Sequence, residues 1–272
     1  MGKYKLLAVD LDGTLTKRDK TISPHTRETL IRAQQQGLRI ILATGRPTCG
    51  VGFIADELQM DKYGGYIFSY NGGEIRDWTT KELLYATSLP DDIKSYLYNT
   101  TKAHGFTIIS YRGDNIVTED PDNEYVKYTA RNNRMPIIKV PDFLEEVSGY
   151  SLPKCLIVGE PESLHKLEIE MQEYFKDRVG VFRSEAFFLE IVPQGVDKAK
   201  CLKILLDMIG ETPDHLIACG DGFNDISMIK FAGLGVAMAN AQPIVRENAN
   251  YTTLSNEEDG VAYVVEKFFL QD

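Results

Sequence analysis

The chain has 272 residues, and its 43% hydrophobic content is enough to fill a full core in one or two domains. A formal net charge of -10 has the wrong sign for a nucleic-acid or anionic-membrane partner, which call for basic patches, but it leaves room for a small anionic substrate held by local charge. No run approaches the roughly 18–20 apolar residues of a membrane span, and the first ten residues carry no signal-peptide pattern.

The first apolar run, Leu6 to Val9, ends in Asp10-Leu11-Asp12-Gly13-Thr14-Leu15. A short apolar run bounded by a glycine reads as a buried strand. Residues i and i+2 of a strand share a side, so Asp10 and Asp12 are expected side by side at its carboxyl end. Two adjacent carboxylates stay ionised only where a cation or hydrogen-bond donors offset their charge. Ser23 as N-cap and Pro24 at the first helical position start a helix through Thr26–Ala33, and Gly37 stops it. Leu38 to Ala43 is a second strand, ending in Thr44-Gly45-Arg46-Pro47. A helix follows through Phe53 to Leu58. Tyr66 to Tyr70 is a third strand, ending in Asn71-Gly72-Gly73. Strand, helix, strand, helix, strand is the signature of a parallel, doubly wound α/β sheet with helices on both faces. Ligands bind such sheets at the carboxyl ends of strands, where Asp10, Thr44 and Asn71 fall.

The pattern then changes. Glu74 to Leu89 reads as a hairpin-like stretch. Helices are expected at Asp91–Ala103, Asp122–Asn132 and Glu162–Phe175. Strands are expected at Phe106–Ser110, Asn115–Thr118, Cys155–Val158, Val179–Arg183 and Phe187–Val192. Paired strands point to an antiparallel sheet with helices on one face, an α+β insert. The insert is placed at 88–191, with 1–87 and 192–272 as the discontinuous core and Pro193-Gln194-Gly195 as the return hinge. After it, Lys198 to Met208 reads as a helix. Leu216 to Cys219 is a strand ending in Gly220-Asp221-Gly222-Phe223-Asn224-Asp225. A helix through Ile226–Phe231, a strand Gly235–Met238 ending near Asn240, and an amphipathic last helix over Asp259–Phe269 complete the chain.

If the strand at 216–219 neighbours the first one, four carboxylates converge: Asp10, Asp12, Asp221 and Asp225. Hard oxygen ligands with room for water suit Mg2+. Lys198 opens a helix after the hinge and brings positive charge to the same crevice. Thr44 adds a hydroxyl and nearby backbone N–H groups, and Asn224 an amide. A cation, a lysine and neutral donors around a nucleophilic carboxylate suit a phosphoryl group, whose transfer needs mainly positioning and charge neutralisation. Aspartate is a competent covalent acceptor. Each piece alone reads as turn, cap or solvated-helix chemistry. Their order, strand-end placement and complementary charge make the functional reading. The four histidines lack spacing partners and read as ordinary residues. Tyr125 and Tyr128, at i and i+3, read as packing rather than as a sugar platform. Cys49, Cys155, Cys201 and Cys219 form no CxxC pair and read as reduced thiols of a cytoplasmic protein.

Asp10-Leu11-Asp12-Gly13-Thr14-Leu15, Thr44-Gly45-Arg46, Lys198 and Gly220-Asp221-Gly222-Phe223-Asn224-Asp225 resemble the four motifs of the haloacid dehalogenase superfamily. The large insert between the second and third motifs resembles its Cof-type, sugar-phosphate phosphatase branch, as does Leu189-Glu190-Ile191-Val192-Pro193 leading to Gly195-Val196-Asp197-Lys198. The resemblance implies a three-layer Rossmann-like core with an α+β cap. It implies Asp10 as the nucleophile that becomes phosphorylated and Asp12 as general acid, then base. Mg2+ would be bound by Asp10, the backbone carbonyl of Asp12 and Asp221, with Asp225 beside it. Thr44, Gly45, Lys198, Asn224 and the Leu11 backbone N–H would hold the phosphate. Arg46, Asn71, Gly72 and Asn240, with Arg183 and Glu190 from the cap, are further candidate site-lining residues. The family often has Ser or Asn before the lysine and Gly after it, whereas this chain has Asp197 and Ala199.

The function implied is a Mg2+-dependent phosphatase of small phosphorylated metabolites, sugar phosphates foremost, acting as a cytoplasmic monomer or homodimer. A sugar phosphomutase using the same aspartyl-phosphate is the alternative within enzymes. A receiver-type phospho-acceptor module is the alternative outside them; receivers are single small domains with the acceptor on a middle strand. Dehalogenation does not need the acid–base Asp12.

Overall fold

The structure is a computed structural model that describes residues 3–270. Its first elements are β1 (Leu6–Val9), α1 (Pro24–Gln35), β2 (Arg39–Ala43), α2 (Cys49–Glu57), α3 (Met60–Tyr63), β3 (Gly65–Ser69), β4 (Glu74–Asp77) and β5 (Leu83–Ala86). All four residues of β1 are buried, as a strand covered on both faces requires. Ser23 starts α1: its hydroxyl accepts from the Thr26 N–H at 3.0 Å, and Pro24 takes the first helical position.

The chain then forms α4 (Lys94–Ala103), β6 (Thr107–Arg112), β7 (Asn115–Thr118), α5 (Glu124–Asn133), β8 (Ile137–Lys139), α6 (Phe143–Ser148), β9 (Cys155–Val158), α7 (Pro161–Phe175), β10 (Val179–Glu185) and β11 (Phe188–Pro193). It closes with α8 (Lys198–Ile209), β12 (Leu216–Gly220), α9 (Ile226–Phe231), β13 (Leu234–Ala237), α10 (Pro243–Glu247), β14 (Tyr251–Thr252) and α11 (Gly260–Phe268). Among the described residues no helix is long and apolar enough to cross a membrane.

Contacts divide the chain into two compact units. One runs up to Gly45 and resumes over Gly52–Tyr85 and from Asp197 onward; the other comprises Arg46–Val51 and Ala86–Val196. The first is built on an eight-stranded sheet of order β14-β13-β12-β1-β2-β3-β4-β5. β1 lies at its centre, parallel to β12 on one side and to β2 on the other. Val9 pairs with Cys219 and with Leu42, so Asp10, Gly220 and Ala43 stand level with one another at the carboxyl ends of three neighbouring strands. β4 turns back antiparallel to β3, and β5 lies beside β4, so the stretch read as hairpin-like over Glu74–Leu89 supplies the last two strands of this sheet. Leu6, Ala8, Ile41 and Phe68 pack on one face under Leu202 and Leu205 of α8 and Met228 of α9. Strand alternation sends Leu7, Val9, Ile40 and Leu42 to the other face, where they are equally buried.

The second unit is a six-stranded sheet of order β10-β11-β9-β6-β7-β8. Its pairs are antiparallel except β7 with β8, which run parallel because α5 makes a crossover between them. Leu97 of α4, Phe143 of α6 and Leu164, Leu167 and Met171 of α7 share one core with Ile108, Ile157 and Ile191 of the sheet. The expectation of helices on one face holds for these three and fails for α5. Alternation turns Phe188 away from that core, and Tyr128 of α5 meets its ring at 6.0 Å between centroids. Tyr125 stacks on Phe187 at 5.0 Å, so the Tyr125–Tyr128 face of α5 packs as expected.

Candidate active site

β1 ends at Val9, and the main chain turns at once. The Leu11 carbonyl accepts from the backbone N–H groups of Thr14 at 3.3 Å and Thr16 at 2.9 Å, and from the Thr16 hydroxyl at 2.9 Å. Strand alternation therefore does not reach Asp12, and the expected side-by-side carboxylates take separate cations. Asp10 is buried and receives Lys198 Nζ on Oδ1 at 2.7 Å. Asp12 is part-exposed and receives Lys20 Nζ on Oδ1 at 2.7 Å.

Lys198 is the first residue of α8, whose N-cap is Asp197: Asp197 Oδ1 accepts from the Lys200 N–H at 3.0 Å. Lys198 is 1% exposed and also donates to Asp225 Oδ1 at 2.6 Å. The other Asp225 oxygen accepts from the Asp221 and Gly222 N–H groups, both at 2.9 Å, which winds the Gly220–Asp225 loop around a single carboxylate. Gly220 makes room for it, since a Cβ there would stand 2.4 Å from the Asp225 Cβ. Asp221 Oδ1 accepts from the Thr14 hydroxyl at 2.8 Å. Its carboxylate lies on the bare face of Gly13, where a Cβ would come within 2.4 Å of Oδ2. Gly13 also has φ 85, the left-handed region that a glycine enters freely.

Asp10, Asp221 and Asp225 each offer a carboxylate oxygen within 4.8 Å of the other two. Lys198 balances one of these three charges, so an excess of negative charge is left in a buried place. Burial, reinforced by Asp225 and opposed by Lys198, pushes Asp10 from 3.8 up to about 8. Burial pushes Asp221 up to about 6, against the Thr14 hydrogen bond. Burial works against the Lys198 ammonium too, but Asp10 and Asp225 together outweigh it and hold the lysine above its ordinary range. Such a donor set fits a hard divalent cation: oxygen only, surplus negative charge, and partly open at Asp221.

The other strand ends contribute neutral groups. Thr44 follows β2 and is buried, its N–H bound to the Phe68 carbonyl at 2.9 Å. Asn71 Oδ1 accepts from Asn224 Nδ2 at 3.2 Å, and Gly45 lies against the same Asn71 amide. Asn240 Nδ2 donates to the Gly13 carbonyl at 2.8 Å and so ties the β13 end to the Asp12–Gly13 turn. The structure thus brings Asp10, Asp12, Thr44, Gly45, Asn71, Gly72, Lys198, Asp221, Asn224, Asp225 and Asn240 onto one unit.

Three expected residues belong to the second unit. Arg46 Nη1 donates to the Asn132 carbonyl at 3.4 Å. Arg183 Nε donates to Glu168 at 2.8 Å. Glu190 is buried, with Lys154 on one oxygen at 2.7 Å and the Ser184 hydroxyl on the other at 2.9 Å. Two contacts at the first strand's turn have no signature in the sequence. Thr14 stood inside a recognised motif, but its grip on Asp221 joins residues 207 positions apart. Lys20 carried no signal; it reaches Asp12 because its φ of 66 closes a tight turn from Lys17. A third is Asn256, whose N–H fixes Asn240 Oδ1 at 3.1 Å.

Residues 7–265 match the model of the haloacid dehalogenase-like hydrolases. A haloacid dehalogenase-like hydrolase from Bacteroides thetaiotaomicron, known by its crystal structure, superposes with a TM-score of 0.95. It is 50% identical, over 98% of this chain and 100% of its own. A 5-amino-6-(5-phospho-D-ribitylamino)uracil phosphatase from Bacillus subtilis is 31% identical over 98% of both chains. A subclass IIB sugar phosphatase of the same superfamily superposes with a TM-score of 0.81 at 26% identity, over 98% of this chain and 100% of its own. With its family model, its relatives and its carboxylate–lysine centre in agreement, the chain belongs to the haloacid dehalogenase-like hydrolases and is an enzyme of their phosphatase class.

Proposed function

We propose that this protein is a Mg2+-dependent phosphatase of small phosphorylated metabolites, sugar phosphates foremost, working through an aspartyl-phosphate on Asp10. The observation that carries the reading is the buried Lys198, bound to Asp10 Oδ1 at 2.7 Å and Asp225 Oδ1 at 2.6 Å. One oxygen of Asp10 is thereby held still while Oδ2 keeps its lone pairs for attack on phosphorus. Asp10, the Asp12 carbonyl and Asp221, with Asp225 beside them, would hold Mg2+, which when bound neutralises phosphoryl oxygens and holds the Asp10 carboxylate ionised.

In the first step Asp10 Oδ2 bonds to phosphorus, the bond to the ester oxygen breaks, and the Asp12 carboxyl gives its proton to that oxygen. In the second, Asp12 takes a proton from water, the water oxygen bonds to phosphorus, and the bond to Asp10 breaks to release phosphate. Asp12 is read in both tasks because its side chain is part-exposed and outside the Asp10–Asp221–Asp225 group; the Lys20 ammonium on it favours the ionised form, and has to leave before Asp12 carries a proton. The Leu11 N–H, Thr44, Gly45 and Asn224 are read as phosphate donors. The substrate class is supported by one relative named for a phosphorylated ribityl compound and by a structural neighbour named as a sugar phosphatase. We read the enzyme as a cytoplasmic monomer or homodimer, with its four cysteines as free thiols.

The test is phosphate release, with Mg2+, from an aryl phosphate and a panel of phosphorylated sugars, sugar alcohols and nucleotides. Sugar or sugar-alcohol phosphates should be the best substrates. Asp10→Asn should slow release by about 1,000-fold or more. Release by Asp10→Asn at the wild-type rate would sink the mechanism, and an isomerised hexose phosphate appearing faster than free phosphate would favour a mutase.

A further inference from the structure

We propose that the turn after β3 is a positioning device for the phosphate site, and that Asn71 acts in it by locking Asn224 against Gly45. The inference rests on the phosphatase reading. Tyr70, Asn71 and Gly72 are left-handed in succession, with φ of 54, 58 and 99. Only the glycine adopts this freely, and for a buried tyrosine it is a costly conformation. A hairpin between β3 and β4 explains an Asn-Gly pair in a turn. It does not explain where this turn spends its groups.

Three of the segments that carry site residues are touched. The Asn71 N–H donates to the Thr44 carbonyl at 2.9 Å rather than into its own hairpin. The Asn71 amide lies over Gly45, where a Cβ would stand 3.1 Å from both Nδ2 and Oδ1. Asn71 Oδ1 accepts from Asn224 Nδ2 at 3.2 Å. Gly72 lies against the start of α8, where a Cβ would stand 3.0 Å from the Cys201 Cβ and 3.1 Å from the carbonyl oxygen of Asp197, the residue before Lys198. Three loops that reach the site from β2, β12 and α8 are thus held in register by one turn whose backbone cannot relax without releasing them. Strain of this kind persists where the surroundings over-determine it. The function it serves here is to orient the Asn224 amide and the Thr44–Gly45 backbone before phosphate arrives.

Three variants test the inference: Asn71→Gly, Asn224→Ala and both together. Each is read by its melting midpoint, its Kd for inorganic phosphate with Mg2+ by calorimetry, and its phosphate release from an aryl phosphate. Asn71→Gly keeps the turn and removes only the side chain, so it should melt at or above the wild type. It should still weaken phosphate binding or slow release by about 10- to 100-fold, the cost of misplacing a group by about an ångström. Asn224→Ala should do the same. Because one acts through the other, the double variant should lose little more than the worse single one. Wild-type binding and turnover in Asn71→Gly overturns the inference and leaves a hairpin turn. So does a double variant whose losses multiply. If the wild type binds phosphate but hydrolyses no ester, the phosphatase reading fails by itself, and the effect of Asn71→Gly on phosphate binding still decides the role of the turn.

Discussion

Lys198 occupies a position where a lysine is costly unless paired, 1% exposed beneath the sheet edge, and it is paired twice. Removing it leaves the buried Asp10 and Asp225 carboxylates without their cation, with only the Asp221 and Gly222 N–H groups on Asp225 and a proton on Asp10 to offset them. Lys198→Ala should therefore lower stability by about 3–5 kcal/mol in chelator, as a broken buried pair does, and abolish phosphate release. Thermal melts and the release assay check the two halves. Asp10, raised to about 8, and Asp221, raised to about 6, make a pH prediction. Both values exceed the 3.8 of an ordinary aspartate, so between that pH and the raised values the metal-free native state holds protons that the unfolded chain has released. These two groups then favour folding most at low pH, and their contribution falls as pH rises through 6 and on to 8. Mg2+ competes with those protons and relieves the repulsion that replaces them. The rise in melting midpoint on adding Mg2+ should be larger near pH 8 than near about pH 5. Equal rises at the two pH values would contradict this account of the carboxylates.

The elements that position the site were legible in the sequence wherever a run of apolar residues met a polar, glycine-containing end. β1 before Asp10, β2 before Thr44 and β12 before Gly220-Asp221 are of that kind, and the sheet register sets Asp10, Gly220 and Ala43 level. What stayed hidden was short or long-range. β8, α6, α10 and β14 have three, six, five and two residues, too few for a period to show. The turn that separates Asp12 from Asp10 depends on three bonds to one carbonyl, that of Leu11. The left-handed Tyr70 has no signature, because tyrosine disfavours the conformation it adopts there. Two glycines separate local strain from site geometry. At Gly220 a Cβ would strike Asp225, so Gly220→Ala should displace the carboxylate that holds Lys198 and reduce phosphate release by at least about 10-fold. At Gly37, with φ 98 and open space around it, Gly37→Ala should cost about 1–3 kcal/mol of stability and leave the release rate unchanged. Similar release from the two variants would mean that the Gly220 loop does not position the lysine.

At the scale of the molecule, an acidic chain must attract an acidic substrate. A net charge of -10 repels phosphate at long range, so the attraction has to be local, from Lys198 and a divalent cation among Asp10, Asp221 and Asp225. Chelation should abolish phosphate release, and added Mg2+ should restore it. The two units have separate cores, one beneath the parallel sheet and one between the second sheet and α4, α6 and α7. All the groups assigned here to bond making and proton transfer belong to the first unit, so the chemistry is a property of that sheet's carboxyl edge. Its central step is the bond between Asp10 and phosphorus. The most direct test is to quench the enzyme in acid during turnover of a radiolabelled phosphate ester with Mg2+, digest it, and locate the label by mass spectrometry. The account predicts an acid-stable, alkali-labile phosphoryl group on Asp10, absent from Asp10→Asn. Phosphate release with no covalent label, or with the label on another residue, would contradict it.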